Sequence, residues 1–178
     1  MAKTEDSYLN GNSLKLSDHF NSLSKGLITI PEMLTDIDSF IDDDPNSFYR
    51  LVIGTDSQAR VVNKRHEIDY VSAIVIYRQG KGAKYYWRKI KIDKKPTLRD
   101  KIYMETLMSL DVAQKLVPEI QSKISGSKYD FEIHIDVGTV GPTREMIKEV
   151  VGMVAGNGYV AKTKPDSWAA SSVADKYT

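Results

Sequence analysis

The spacing of apolar residues changes several times along this chain, and each change marks an element. Met33, Leu34, Ile37, Phe40 and Ile41 recur at helical spacing, with Thr29 or Ile30 at the cap position and Pro31 set for the first turn, so a helix is predicted over Pro31–Ile41 and ended by Pro45. Tyr49–Gly54 is a short apolar run, read as a buried strand. A second strand is predicted over Tyr70–Tyr77 and a third over Lys84–Ile92, joined as a hairpin by Gln79-Gly80-Lys81-Gly82. Pro96-Thr97 opens a long helix to about Val117, with Leu98, Ile102, Thr106, Ser109, Leu110, Ala113, Leu116 and Val117 on one side. Glu105 falls on the shoulder of that side, beside Leu98, Ile102 and Val112, whereas Asp100 and Asp111 lie opposite. Strict alternation predicts a fourth strand over Phe131–Asp136. Thr143 is expected to cap a helix through Val154 that Gly156-Asn157-Gly158 stops. A fifth strand over Tyr159–Thr163 leads into a terminal helix from about Ser167, with Asp166 as its expected cap.

Three consecutive strands followed by alternating helix and strand imply an α/β fold. The expected sheet is five-stranded and mixed, with an antiparallel hairpin side and a parallel side, flanked by helices. The chain divides on this reading into an N-terminal arm and helix, 1–48, and a domain, 49–178. Residues 1 to about 26 are polar, with Leu14, Leu16, Phe20 and Leu23 as scattered anchors, and are read as a loosely docked arm.

Composition narrows the chemistry. The length of 178 residues suits one domain. With no cysteine, disulfides, thiolate zinc sites and cysteine nucleophiles are all excluded. No apolar run is long enough for a signal peptide or a bilayer span, so a soluble, cytoplasmic protein without a membrane partner is expected. The net charge of +1 carries no global signature for nucleic acid. Locally, Asp36, Asp38, Asp42, Asp43 and Asp44 form an acidic cluster, and Lys81, Lys84, Arg88, Lys89, Lys91, Lys94 and Lys95 a basic stretch. These read either as solvated faces or as a phosphate-facing stripe.

Asp56 and Asp136 each stand at the carboxyl end of a predicted strand, where sites form in such sheets. If those strands are parallel neighbours, the two carboxylates converge, and bare carboxylates so placed repel. With His19, His66 and His134 as the only histidines, an oxygen-loving Mg²⁺ or Mn²⁺ is the natural compensation. Glu105 can supply a third oxygen ligand, and Asp166 or Asp175 a fourth. Such a set suits two-metal phosphodiester chemistry. Taken singly, each acid is as readily a turn, surface or capping residue; their joint order along the chain carries the reading. His134 is expected to satisfy a local hydrogen bond.

The segments Ile53-Gly54-Thr55-Asp56-Ser57-Gln58, His134-Ile135-Asp136-Val137-Gly138, Gly141-Pro142-Thr143-Arg144-Glu145-Met146 and Lys164-Pro165-Asp166-Ser167 with Ala169-Ala170-Ser171 resemble the bacterial YkuK-like family of predicted ribonuclease-H-related proteins. The resemblance runs from about Tyr49 to the C-terminus and implies a ribonuclease-H-like sheet. In it Asp56 matches the first-strand acid, Glu105 the helix acid and Asp136 the fourth-strand acid. The last acid falls on Asp166 or Asp175.

Two functions follow as expectations. The first is a metal-dependent nuclease acting on RNA, DNA or a hybrid, with Lys162, Lys164, Arg144 or the basic hairpin holding phosphates and Tyr85, Tyr86 and Trp87 stacking on bases. The alternative for those aromatics is core packing of the hairpin. The second function is a non-catalytic module of the same fold that binds nucleic acid or a protein. Asp136-Val137-Gly138-Thr139 also looks like the phosphate loop of actin-like ATPases, but those folds need two such domains. No P-loop, serine triad or zinc site is present. Oligomeric state is left open.

Overall fold

The computed structural model describes residues 18–123 and 129–177. Of the expected arm, residues 1–17, including Leu14 and Leu16, lie outside the described region. Residues that follow are not loosely docked: β1 (His19–Ser22) and β2 (Gly26–Thr29) form a hairpin, and β1 pairs with β5 through Asn21 and Ser22. Then come α1 (Ile30–Asp42), β3 (Tyr49–Val62), β4 (Arg65–Arg78), β5 (Gly82–Ile92), α2 (Leu98–Lys123), β6 (Tyr129–His134), α3 (Ile147–Gly156), β7 (Val160–Lys162) and α4 (Ala169–Ala174). The sheet is mixed as expected but has seven strands, not five, in the order β2-β1-β5-β4-β3-β6-β7. Its two extra strands are β1 and β2, whose brevity left no readable alternation. β3–β6 and β6–β7 are parallel, and every other pairing is antiparallel.

Local chemistry explains the boundaries. Thr29 and Glu32 form a reciprocal capping box at the start of α1, with Thr29 N–H donating to Glu32 Oε2 at 2.7 Å. At the other end, the fully buried Tyr49 turns its hydroxyl to the last carbonyls of α1 and donates to Asp44 O at 2.8 Å. Thr97 and Asp100 bond reciprocally at the head of α2, and that helix runs through Pro118 rather than stopping before it. β3 and β4 extend well beyond the runs read from sequence. They meet in a two-residue turn at Asn63 and Lys64, both with positive φ, of the kind whose twist matches a hairpin.

The two faces of the sheet are unequal. Leu51, Ile53, Ile74, Ile76 and Tyr86 face α1 and α2 and build the main core with Met33, Ile37, Leu110, Ala113 and Leu116, so the helix placed outside 49–178 by sequence shares this core. The other face carries Val52, Val75, Tyr77 and Tyr85, and α4 is packed against it. There Tyr177 stacks on Trp87 with ring centroids 4.0 Å apart, and Trp168 meets Tyr77 edge-on. No helix among the described residues is long and apolar enough to cross a membrane.

Candidate metal centre

β3 outruns its parallel neighbour. Pairing between β3 and β6 ends at Gly54 opposite His134, and two residues further on each side stand Asp56 and Asp136. The two acids expected at strand ends therefore meet at one point, although β3 continues past it along β4. Asp56 lies on the sheet face that α4 covers. Its Oδ1 accepts from the Ser57 N–H at 2.8 Å, and its side chain neighbours that of Asp175, just past the end of α4. Burial, then Asp175 and Asp136, push the Asp56 carboxyl up to about 6 despite the Ser57 bond.

Glu105 reaches the same place from α2. The helix comes close to β3 because Thr106 and Ser109 are small. Ser109 Oγ donates between Thr55 Oγ1 (3.0 Å) and its own helix's Glu105 O (2.9 Å), and Thr55 in turn meets Ser72 at 2.9 Å. Glu105 is only 6% exposed and accepts a short hydrogen bond from the Ser57 hydroxyl. Burial raises its carboxyl to about 8, with Asp56 and Asp136 adding to the rise and Ser57 and Lys101 opposing it. The helical wheel placed Glu105 on the shoulder of the apolar side; the structure buries it.

Asp136 faces a cation. Lys164 Nζ lies 2.7 Å from Asp136 Oδ1 as an ion pair outside hydrogen-bond geometry, and this contact, with the fields of Asp136, Asp56 and Asp175, raises the lysine above its ordinary value. A cleft of about 210 Å³ opens beside these groups, lined by Asp56, Glu105, Asp136, Lys101, Thr143 and Lys164 among others.

The two readings of the fourth acid are placed very differently. Asp175 neighbours Asp56, whereas Asp166 is exposed and sits in a turn with its N–H on Thr163 O at 2.8 Å; neither lines the cleft. Nor does Asp166 cap the last helix: α4 starts only at Ala169, after Trp168, without a side-chain cap. Thr143 likewise makes no cap bond to the 3₁₀ turn Arg144–Met146 that precedes α3; its Oγ1 accepts from Gly138 N–H at 3.3 Å. His134 is buried and bonded to Glu132 at 3.1 Å, as expected of a satisfied histidine, and burial lowers its pKa.

The aromatic and basic residues of β5 are used internally. Tyr86 is a core residue whose hydroxyl donates to Asp36 at 2.7 Å, and Trp87 is the platform for Tyr177. The acidic and basic runs pair with each other in part, Asp36 with Lys84 (2.8 Å) and Asp44 with Lys81 (2.9 Å). Arg88 is buried against Asp111, and Lys89 lies 2.7 Å from the buried Asp69. Among the described residues, no group of three or more His, Asp or Glu side chains is arranged to hold a metal ion. Hydrogen bonds from Ser57 to Asp56 and Glu105 and the ion pair of Lys164 with Asp136 engage the acids instead. Ser57, the residue directly after Asp56, and Lys101, four residues before Glu105, were not singled out in sequence; only adjacency to the acids marked them.

This fold belongs to a recognised class. Residues 32–178 match the Ribonuclease H-like family, and the chain belongs to that family. The uncharacterized protein YkuK of Bacillus subtilis (strain 168) is 32% identical over 169 residues, which cover 89% of this chain and 96% of that protein. No solved structure matches significantly.

Proposed function

We propose that this protein is a metal-dependent nuclease that hydrolyses phosphodiester bonds in RNA, DNA or an RNA–DNA hybrid. One observation carries the reading: Asp56, Glu105, Asp136 and Asp175 are drawn toward one partly buried place, where burial first, and then the negative charge of their neighbours, push Asp56 and Glu105 toward protonation. Crowded carboxyls that resist ionisation fit a divalent cation, which would supply the missing charge. The donors are all oxygen, there is no cysteine, and His134 is turned to Glu132, so the set suits Mg²⁺ or Mn²⁺. The four carboxyls are not arranged as a finished ligand set in this structure; on this reading Asp56, Asp136, Glu105 and Asp175 would close on the ions, which would activate water and stabilise the departing oxygen.

The chain's own residues provide the rest. Ser57 orients Glu105, and Lys101 and Lys164 place two ammonium groups beside the cleft for phosphate oxygens. A non-catalytic nucleic-acid- or protein-binding module is the second reading. It is favoured by the pairing of Asp136 with Lys164, which balances one acid without any metal.

Labelled single-stranded RNA, single-stranded DNA and RNA–DNA hybrid incubated with Mg²⁺ or Mn²⁺ separate the two. Cleavage by the wild type that both Asp56→Asn and Asp136→Asn reduce by at least about 100-fold is the expected result. Binding without cleavage of any of the three would leave the module.

A further inference from the structure

Lys164 is fixed to the acids by more than its side chain. Pairing between β6 and β7 continues past both strands: Ile135 N–H donates to Lys162 O at 2.9 Å, and Lys164 N–H to Val137 O at 2.8 Å. The backbone of Lys164 is thereby held against the residue that follows Asp136. From that anchor its ammonium reaches Asp136 Oδ1 at 2.7 Å and feels Asp56 and Asp175 as well. An exposed lysine on a single carboxylate gains little; a tethered backbone and three neighbouring acids set Lys164 apart from such a pair.

We infer that the Lys164 ammonium is the built-in counter-ion of the acid cluster, and that a divalent cation binds by displacing it from Asp136. This rests on the metal-dependent reading above. The argument is spatial and electrostatic. An oxygen 2.7 Å from an ammonium cannot also coordinate Mg²⁺ at its short distance without the two cations crowding each other. The displaced ammonium stays tethered at the cleft beside Lys101, where a substrate phosphate is the remaining anion. One side chain thus balances the acids when the metal is absent and meets the substrate when it is present.

Calorimetric titration of MgCl₂ and MnCl₂ into the wild type, Lys164→Gln and Lys164→Arg at low ionic strength tests this. Gln retains the main-chain bond from residue 164 to Val137, and Lys164→Met serves as a second neutral variant, with circular dichroism confirming that each is folded. Loss of the positive charge is expected to tighten metal binding about tenfold in both neutral variants, whereas Lys164→Arg binds no tighter than wild type. Equal affinity in the wild type and the neutral variants would overturn the counter-ion role and leave the metal site standing. No uptake by any of the four proteins would overturn both.

Discussion

Glu105 shows what a single acid costs this fold. Its carboxyl ionises near 4.5 when solvated but is raised to about 8 in the folded chain. Between those values the unfolded chain has lost its proton while the folded one keeps it, so folded stability falls as pH rises from about 4.5 to about 8. Glu105→Gln removes that dependence. In metal-free protein the variant is expected to lose less melting temperature between pH 5 and pH 8 than the wild type, as thermal denaturation across that range will show. Mg²⁺ should raise the wild-type melting temperature more at pH 8 than at pH 6, because the ligands must be ionised to bind. At this scale the sequence was informative in proportion to local constraint. Asp56 and Asp136 stood out because each follows an apolar run, although Asp56 lies inside β3 rather than at its end. Glu105 was legible only as a misfit among apolar neighbours. The choice between Asp166 and Asp175 was not, because it depends on where α4 begins, and that start has no cap residue to mark it.

α4 is the weakest element by its own chemistry, six residues of Ala, Ser and Val with no side-chain cap. Its place on the sheet comes from Val173, packed on Val52 and Val75, and from flanking contacts, Tyr177 on Trp87 and Trp168 on Tyr77. Trp87→Ala should therefore release Asp175 from Asp56 and reduce metal-dependent cleavage about tenfold, with little effect on the rest of the core. In a double-mutant cycle, Trp87→Ala adds nothing to Asp175→Asn if the stack acts only through that acid. An additive loss would assign Trp87 a separate role. Elements of this kind define what sequence pattern reveals. α1, the β4–β5 hairpin and α2 were readable because their apolar period is long and their caps or turns are strong. The outer halves of β3 and β4 were missed because Gln58 to His66 is largely polar and the turn at Asn63-Lys64 lacks the glycine that usually marks such a hairpin.

Across the whole molecule, Asp36 is the joint between the N-terminal hairpin, α1 and β5. It is 3% exposed and meets Lys84 at 2.8 Å, Lys25 at 3.1 Å and the Tyr86 hydroxyl at 2.7 Å. Burial alone would raise its carboxyl, but the three partners together bring it below the ordinary value. Its contribution is then present above about pH 4 and lost as pH falls through the lowered value. Asp36→Asn is expected to cost about 2 kcal/mol at pH 7, a figure discounted because Lys25 and Lys84 are partly solvated, and to flatten the acid limb of the stability curve. Urea denaturation from pH 2 to pH 7 measures both. Pairing of β3 with β6 has a further consequence for the order in which the chain folds. β3, β4 and β5 are sequential and meet through short turns, whereas the pairing that sets Asp136 beside Asp56 must close the long loop from Gly54 to His134. A chain emerging from the ribosome can build the hairpins first, so the mutual repulsion of its acids arises only once most of the sheet is there to withstand it.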